Sequence, residues 1–180
     1  MLPAASRQRG LAAIGLELDK PETVELVPVP EGPTVVRCSE VRDGKKLGEL
    51  EVCVFKAALV IDRDGILEEK VHLTADAERG RVTPPVPVSL PGASGFRADV
   101  ELVRPMGAPK PELPYVYVFA IAPHDLGVDG GVLVTVRCAT PEWPAADSIL
   151  RTMKVLGRRG TTANDGEAAP MLPMIGRRED

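Results

Sequence analysis

Three groups of residues are of types that chemistry uses. Asp62-Arg-Asp-Gly65, followed by Glu68 and Glu69, sets oxygen ligands close together as a calcium loop does. An EF-hand loop needs acidic ligands at its first and last positions around a central glycine. Placing Gly65 at that glycine puts Val60 and Val71 at the ends, so the spacing favours a plain turn. His124-Asp125 has the form of a general base with an orienting carboxylate. No serine or cysteine stands in a nucleophile elbow, and both residues fall in a hairpin loop, where a solvated pair is expected. Cys38, Cys53 and Cys138 lack CxxC spacing, and His72 and His124 are the sole histidines, too few ligands at metal-binding spacing for a metal centre. An odd number of cysteines inside apolar runs predicts free, buried thiols in a reducing compartment. The reading is therefore of a non-enzyme, with no catalytic residue, no metal site and no cofactor.

The 180 residues suit one domain with tails, long enough to bury a core without disulfide or metal staples. Aromatics are only 3%, so the core rests on Val, Leu, Ile and Ala, and the abundance of Val favours strands. Eighteen Pro and seventeen Gly interrupt the chain too often for many helices. A net charge of −4 disfavours nucleic acid, which needs a concentrated basic surface. No segment has the continuous apolar length of a membrane span, and the first residues lack the apolar core of a secretory signal, so a cytoplasmic location is expected.

The elements that would position these residues can be read in order. Residues 15–19 alternate as a short first strand, and Pro28 confines the strand-like 24–29 to an edge. Asp43-Gly44 between the β-rich runs 34–42 and 48–57 predicts a tight hairpin. Residues 58–61 are read as continuing or re-entering the sheet. The stretch 66–76 is ambiguous: Leu67, Val71 and Ala75 form a helical stripe, yet 71–74 also suits a strand. The proline-rich 83–91 is an extended crossing, 96–103 a strand with one solvated face, and 105–114 a stiff surface connection. Residues 115–122 are apolar on both faces, which predicts a central strand covered on both sides, paired with 132–139.

After this pair, Thr140 or a neighbour is expected to cap a helix with Pro141 in its first turn, Pro144 costing a hydrogen bond unless regular helix begins there. Ala146, Ile149, Leu150, Met153 and Leu156 mark its apolar stripe, Gly157 its stop, and Arg158-Arg159 the cations its carboxyl end favours. Trp143 is expected to pack the helix start onto the sheet rather than to serve as an exposed binding anchor. The fold class is α+β, an antiparallel sheet with a C-terminal amphipathic helix packed on one face.

The succession of strands at 86–92, 96–103, 115–122 and 132–139, then Trp143 and the helix 146–156 with its Ile149-Leu-Arg-Thr152 stretch, resembles the PsbP-like superfamily, which includes Mog-type, DcrB-type and LpqN-type proteins. The resemblance covers 86–157 and, more loosely, 15–157. The helix that family places between its early strands is only a faint stripe at 66–75, and the lipidated cysteine of its lipoproteins is absent. The resemblance implies an antiparallel α/β sandwich and a non-catalytic role: binding a protein partner, assisting assembly, or acting as a chaperone or adaptor in secretion, type VI secretion included.

The expected organisation is a flexible N-terminal arm at 1–13, a single α+β domain at 14–157, a flexible linker at 158–169 and a C-terminal tail peptide at 170–180. That peptide is the one candidate site. Met171, Leu172, Met174 and Ile175 are apolar residues beyond a polar linker, closed by Arg177 and Arg178. Short apolar motifs on flexible tethers dock into grooves; the competing expectation is a peptide that folds back on its own domain or frays. The expected partner is another protein or a second copy. The other readings are a structural subunit of a larger assembly and, furthest from the residues, an enzyme of unknown type.

Overall fold

Asp43 and Gly44 adopt φ of 52° and 73°, the left-handed pair of a type I′ turn, whose twist matches that of the strands it joins. They connect β3 (Thr34–Arg42) to β4 (Lys45–Phe55), which meet at Arg42 and Lys45 as the hairpin motif predicts. The computed structural model describes residues 14–29, 31–124, 130–157 and 174–175, with residues 14, 15, 156, 157, 174 and 175 as backbone only. The chain is α+β and mainly antiparallel. Its large sheet also takes β2 (Val24–Leu26), β5 (Gly80–Val82), β6 (Val86–Leu90), β7 (Ala93–Leu102), β8 (Tyr115–Pro123) and β9 (Gly131–Cys138). Their order is β2-β3-β4-β9-β8-β7-β5, with β6 pairing the other half of β7. A second sheet is built on β1 (Ile14–Leu18), flanked by β10 (Lys154–Gly157) and β11 (Met174–Ile175). Proline and edge position agree: Pro28 follows the edge strand β2, and Pro87 lies within β6.

Alternation along β8 explains why that strand is apolar throughout. Phe119 and Ile121 join one buried cluster with Val36, Leu50, Val134 and Val136. Val116, Val118, Ala120 and Ala122 point the other way and meet α1 (Arg63–Ala77) through Leu67, Val71 and Ala75. The helical stripe thus decides the ambiguous stretch. Asp62 caps this helix, so residues 63–65 are its first turn rather than the plain turn expected: Asp62 Oδ1 accepts the Gly65 amide at 3.0 Å, meeting one of the donors a helix start leaves open. Phe96, Ala98, Val100 and Leu102 of β7 belong to the same helix-covered face, as their alternation predicts.

Three expectations are corrected. Residues 58–61 do not re-enter the sheet. Leu59 N bonds Ala57 O at 2.9 Å and Ile61 N bonds Ala58 O at 3.3 Å, so the backbone closes a local turn, and Val60 and Ile61 are left exposed. Pro141 precedes α2 (Pro144–Thr152) rather than lying in its first turn, and of Thr140 or a neighbour it is a neighbour that caps, the Thr140 hydroxyl bonding Glu142 O at 2.7 Å. The N-cap is Trp143, and Pro144 sits in the first turn, where no amide is needed. The helix also stops at Thr152, not Gly157. Met153 is extended, with ψ of 126°, and β10 follows, paired antiparallel with β1. Met153 and Val155 are both buried two residues apart, the strand period, whereas the stripe drawn through Met153 and Leu156 took the helical one. Arg158-Arg159 lie outside the described residues, as does the arm at 1–13.

Candidate docking edge

β1 is a short alternating segment. Leu16 and Leu18 are buried in the same cluster as Trp143, Ala146 and Ile149 of the α2 region, while Glu17 remains partly exposed. On one side its backbone pairs with β10, from Ile14 opposite Gly157 to Glu17 opposite Lys154. On the other side β11 pairs in parallel, Glu17 with Met174 and Leu18 with Ile175. The end of β1 is tied to the end of α2: Asp19 N donates to Thr152 Oγ1 at 3.0 Å. The Thr152 hydroxyl in turn lies 3.0 Å from Ile149 O and 3.3 Å from Asp19 O, to one of which it donates. A groove of about 310 Å³ opens here, between Glu17, Asp19, Pro91, Arg151, Thr152 and Lys154. Its charges are mixed. Lys154 Nζ stands 3.9 Å from Glu17 Oε2, an exposed pair of small energetic weight.

Of the six residues of the sequence-derived docking peptide, the structure places the backbone of Met174 and Ile175 on this edge. Met171, Leu172, Arg177 and Arg178 lie outside the described residues. So does Asp125, while His124 is exposed and its amide donates to Gly92 O at 3.1 Å. Trp143 is buried, as expected of a packing residue, and lies so close over Gly48 that any side chain there would enter the indole ring.

What the sequence does not reveal is the set of polar groups that the fold brings together. Trp143 Nε1 donates to Glu40 Oε2 at 2.7 Å, across 103 residues of chain. Glu40 is a buried carboxylate that also accepts from Arg42 at 3.1 Å. Burial raises its pKa, but hydrogen bonds from Trp143 and Thr23 and the Arg42 charge outweigh burial, and the net direction is down. On the part of the opposite face built from β3, β4 and β9, Arg37 grips Glu51 Oε2 through Nε at 3.2 Å and Nη2 at 2.8 Å. Glu51 Oε1 accepts from Thr34 at 2.8 Å and from the Cys53 thiol at 3.4 Å. Arg137 bridges to Glu78 at 2.6 Å, joining β9 to the end of α1. Arg37 and Glu51 face each other across the β3–β4 hairpin, but no hairpin or motif rule couples Trp143 to Glu40 or Arg137 to Glu78, and no local signal in the chain announces those two pairs.

The thiols are chemically quiet. Burial pushes Cys38 up to about 11 and Cys138 up to about 12, and it also raises Cys53, beside the Glu51 carboxylate. A thiol held protonated at neutral pH is a poor nucleophile and a poor metal ligand. Treatment of the native chain with an aromatic disulfide reagent at pH 8 is therefore expected to leave the buried Cys38 and Cys138 unmodified within minutes, with the half-buried Cys53 reacting first, and to modify all three once guanidinium is added. Rapid native reaction at Cys38 or Cys138 would contradict the packing of the main buried cluster.

Among the described residues no three His, Cys, Asp or Glu side chains are grouped to hold a metal ion, and no helix is long and apolar enough to cross a membrane. No family model matches the chain, and no curated protein matches it. A solved structure from Bacteroides thetaiotaomicron VPI-5482 is similar over 84% of this chain and 46% of its own, with a TM-score of 0.37 and 9% identity. The chain thus spans less than half the length of that structure's chain, and a likeness at this level carries no argument about function.

Proposed function

We propose that the chain is a non-catalytic protein-binding module whose 170–180 segment is a docking peptide. In this reading α2 and the β1 sheet close one face of the large sheet as in a PsbP-like sandwich, and the module works in the cytoplasm as an adaptor or chaperone-like part of an assembly or secretion system. The supporting observation is the strand pairing of Met174 and Ile175 with Glu17 and Leu18. An extended peptide that adds to a sheet edge gains affinity from main-chain hydrogen bonds and specificity from alternate side chains. The two apolar residues Met174 and Ile175 are a peptide of that kind, separated from the end of β10 by sixteen residues, 158–173. A linker of that length spans up to roughly 50 Å when extended, enough to present the peptide to a partner.

The test is a pull-down with the full chain and with a chain lacking 170–180, followed by titration of the captured partner. Removal of the peptide is expected to weaken capture at least tenfold, in line with the loss of one of two linked contacts. Equal affinity of the two chains would remove the peptide from this reading.

A further inference from the structure

The parallel sense of the β11 pairing carries a consequence for when the peptide can act. Parallel neighbours cannot be joined by a tight turn; they need a connection of a dozen residues or more. Residues 158–173 supply sixteen. They begin beside Ile14, where β10 ends, and finish beside Glu17 on the other side of β1. That separation is two strand spacings across and three residues along, on the order of 14 Å, well inside the reach of the linker. A tether of this kind gives the peptide an effective concentration near its own β1 edge on the order of millimolar. A free copy at micromolar concentration is outcompeted by that factor, so the occupant of the edge is the chain's own segment. The pairing itself is short. Two residues in register leave only a few main-chain hydrogen bonds, each with a net contribution on the order of 1 kcal/mol. The edge is thus filled in cis by a strand held closely enough to stay and weakly enough to leave.

We infer that the outer edge of β1, at Glu17 and Leu18, is an acceptor for an extended peptide, and that the chain's own Met174–Ile175 strand occupies it as a displaceable latch. The latch regulates the docking peptide of the proposed function and rests on that reading. While Met174 and Ile175 pair with β1, the backbone edge that they turn to β1 is occupied, and a partner must displace β1 to pair along that edge. Conversely, a partner that engages the peptide uncovers the β1 edge at Glu17 and Leu18, beside the groove that already opens at Asp19, Pro91 and Arg151. The ligand class that fits the uncovered edge is an extended, apolar peptide strand running parallel to β1.

Two measurements on the full chain test this. A fluorescent peptide of residues 170–180 is titrated against the full chain and against the Met174→Pro/Ile175→Pro full chain, with circular dichroism confirming that the variant is folded. Proline removes the amide donors on which strand addition depends. The variant is expected to bind the peptide at least tenfold more tightly than the natural chain, because its edge is open. Equal binding by the two chains, or none by the variant, overturns the latch. Independently, the Glu17→Cys/Met174→Cys chain is oxidised and run without reductant. A cross-linked monomer supports occupancy in cis; a cross-linked dimer, or no cross-link, overturns it. These outcomes are separable from failure of the docking reading, in which the cross-linked monomer forms and the variant binds the peptide but no partner distinguishes the full chain from the chain lacking 170–180.

Discussion

Replacing Trp143 by alanine is expected to cost about 3–5 kcal/mol of folding stability, the range for removing a large buried aromatic. Three consequences add at this site. The indole is buried in the main cluster next to Ala146 and Ile149, so its loss opens a cavity where α2 begins. It is also the residue for which Gly48 leaves room on β4. Its Nε1 supplies one of the donors that keep the buried Glu40 carboxylate ionised. Phenylalanine at 143 separates these contributions. It restores most of the volume but leaves Glu40 short of a donor, at a cost of roughly 1–3 kcal/mol. Glu40→Gln keeps an acceptor for the indole and should cost less.

The dependence on pH gives the same contact a distinct mark. The pKa of Glu40 is lowered in the folded chain, so its contribution is present above the ordinary glutamate value of 4.5 and is lost as pH falls through the folded value. Urea titrations of the natural chain should show stability falling below about pH 4.5, and with Trp143→Phe that fall should be shallower, because the folded pKa moves back up. An unchanged acid limb in the phenylalanine chain would show that Arg42 and Thr23, not the indole, hold the carboxylate ionised.

Where the chain could be read without coordinates, a local rule was sufficient. Asp43-Gly44 demands a specific turn, and the hairpin follows in register. The two apolar faces of β8 require cover on both sides, and each face enters a different cluster. The stripe of Leu67, Val71 and Ala75 was visible, but the β-branched Val71 and Thr74 argued against it, and burial against β7 and β8 decides the matter. The misreadings arise where two periods coincide. Ile149, Met153 and Leu156 fit a helix as spacing, yet the backbone of 154–157 is needed by β1, which has no other antiparallel neighbour among the described residues. Tertiary demand for hydrogen bonds outweighs a few residues of helical pattern. Of the candidate site, the apolar composition of 170–175 was legible and the acceptor was not, because pairing between Glu17 and Met174 joins residues at opposite ends of the sequence with no local trace.

Gly95→Ala is expected to be the second severe substitution, costing about 3 kcal/mol, at the upper end of the overpacking range. Gly95 lies in β7 opposite Ile121, and a methyl group there would overlap the backbone carbonyl oxygen of Ala120. Side chains can rotate away from an added methyl; a carbonyl inside a central strand cannot move without dragging β8 with it. The strain would not stay local. Arg63, the first residue of α1, donates through Nη2 to Ser94 O at 2.9 Å and to Ala122 O at 2.7 Å, the residue pair adjoining Gly95 and Ile121 in the ladder. Forcing β7 and β8 apart at Gly95 pulls those two carbonyls away from one guanidinium and loosens the helix that covers this face. Gly95→Ala should therefore lower the urea midpoint sharply and speed hydrogen exchange of α1 amides as well as those of β7. Ser94→Ala, next to it, keeps the carbonyl that Arg63 uses and should change stability by less than about 0.5 kcal/mol. If Gly95→Ala proves as mild as Ser94→Ala, the close approach of β7 to β8 at this point is wrong, and with it the basis for seating α1 through Arg63.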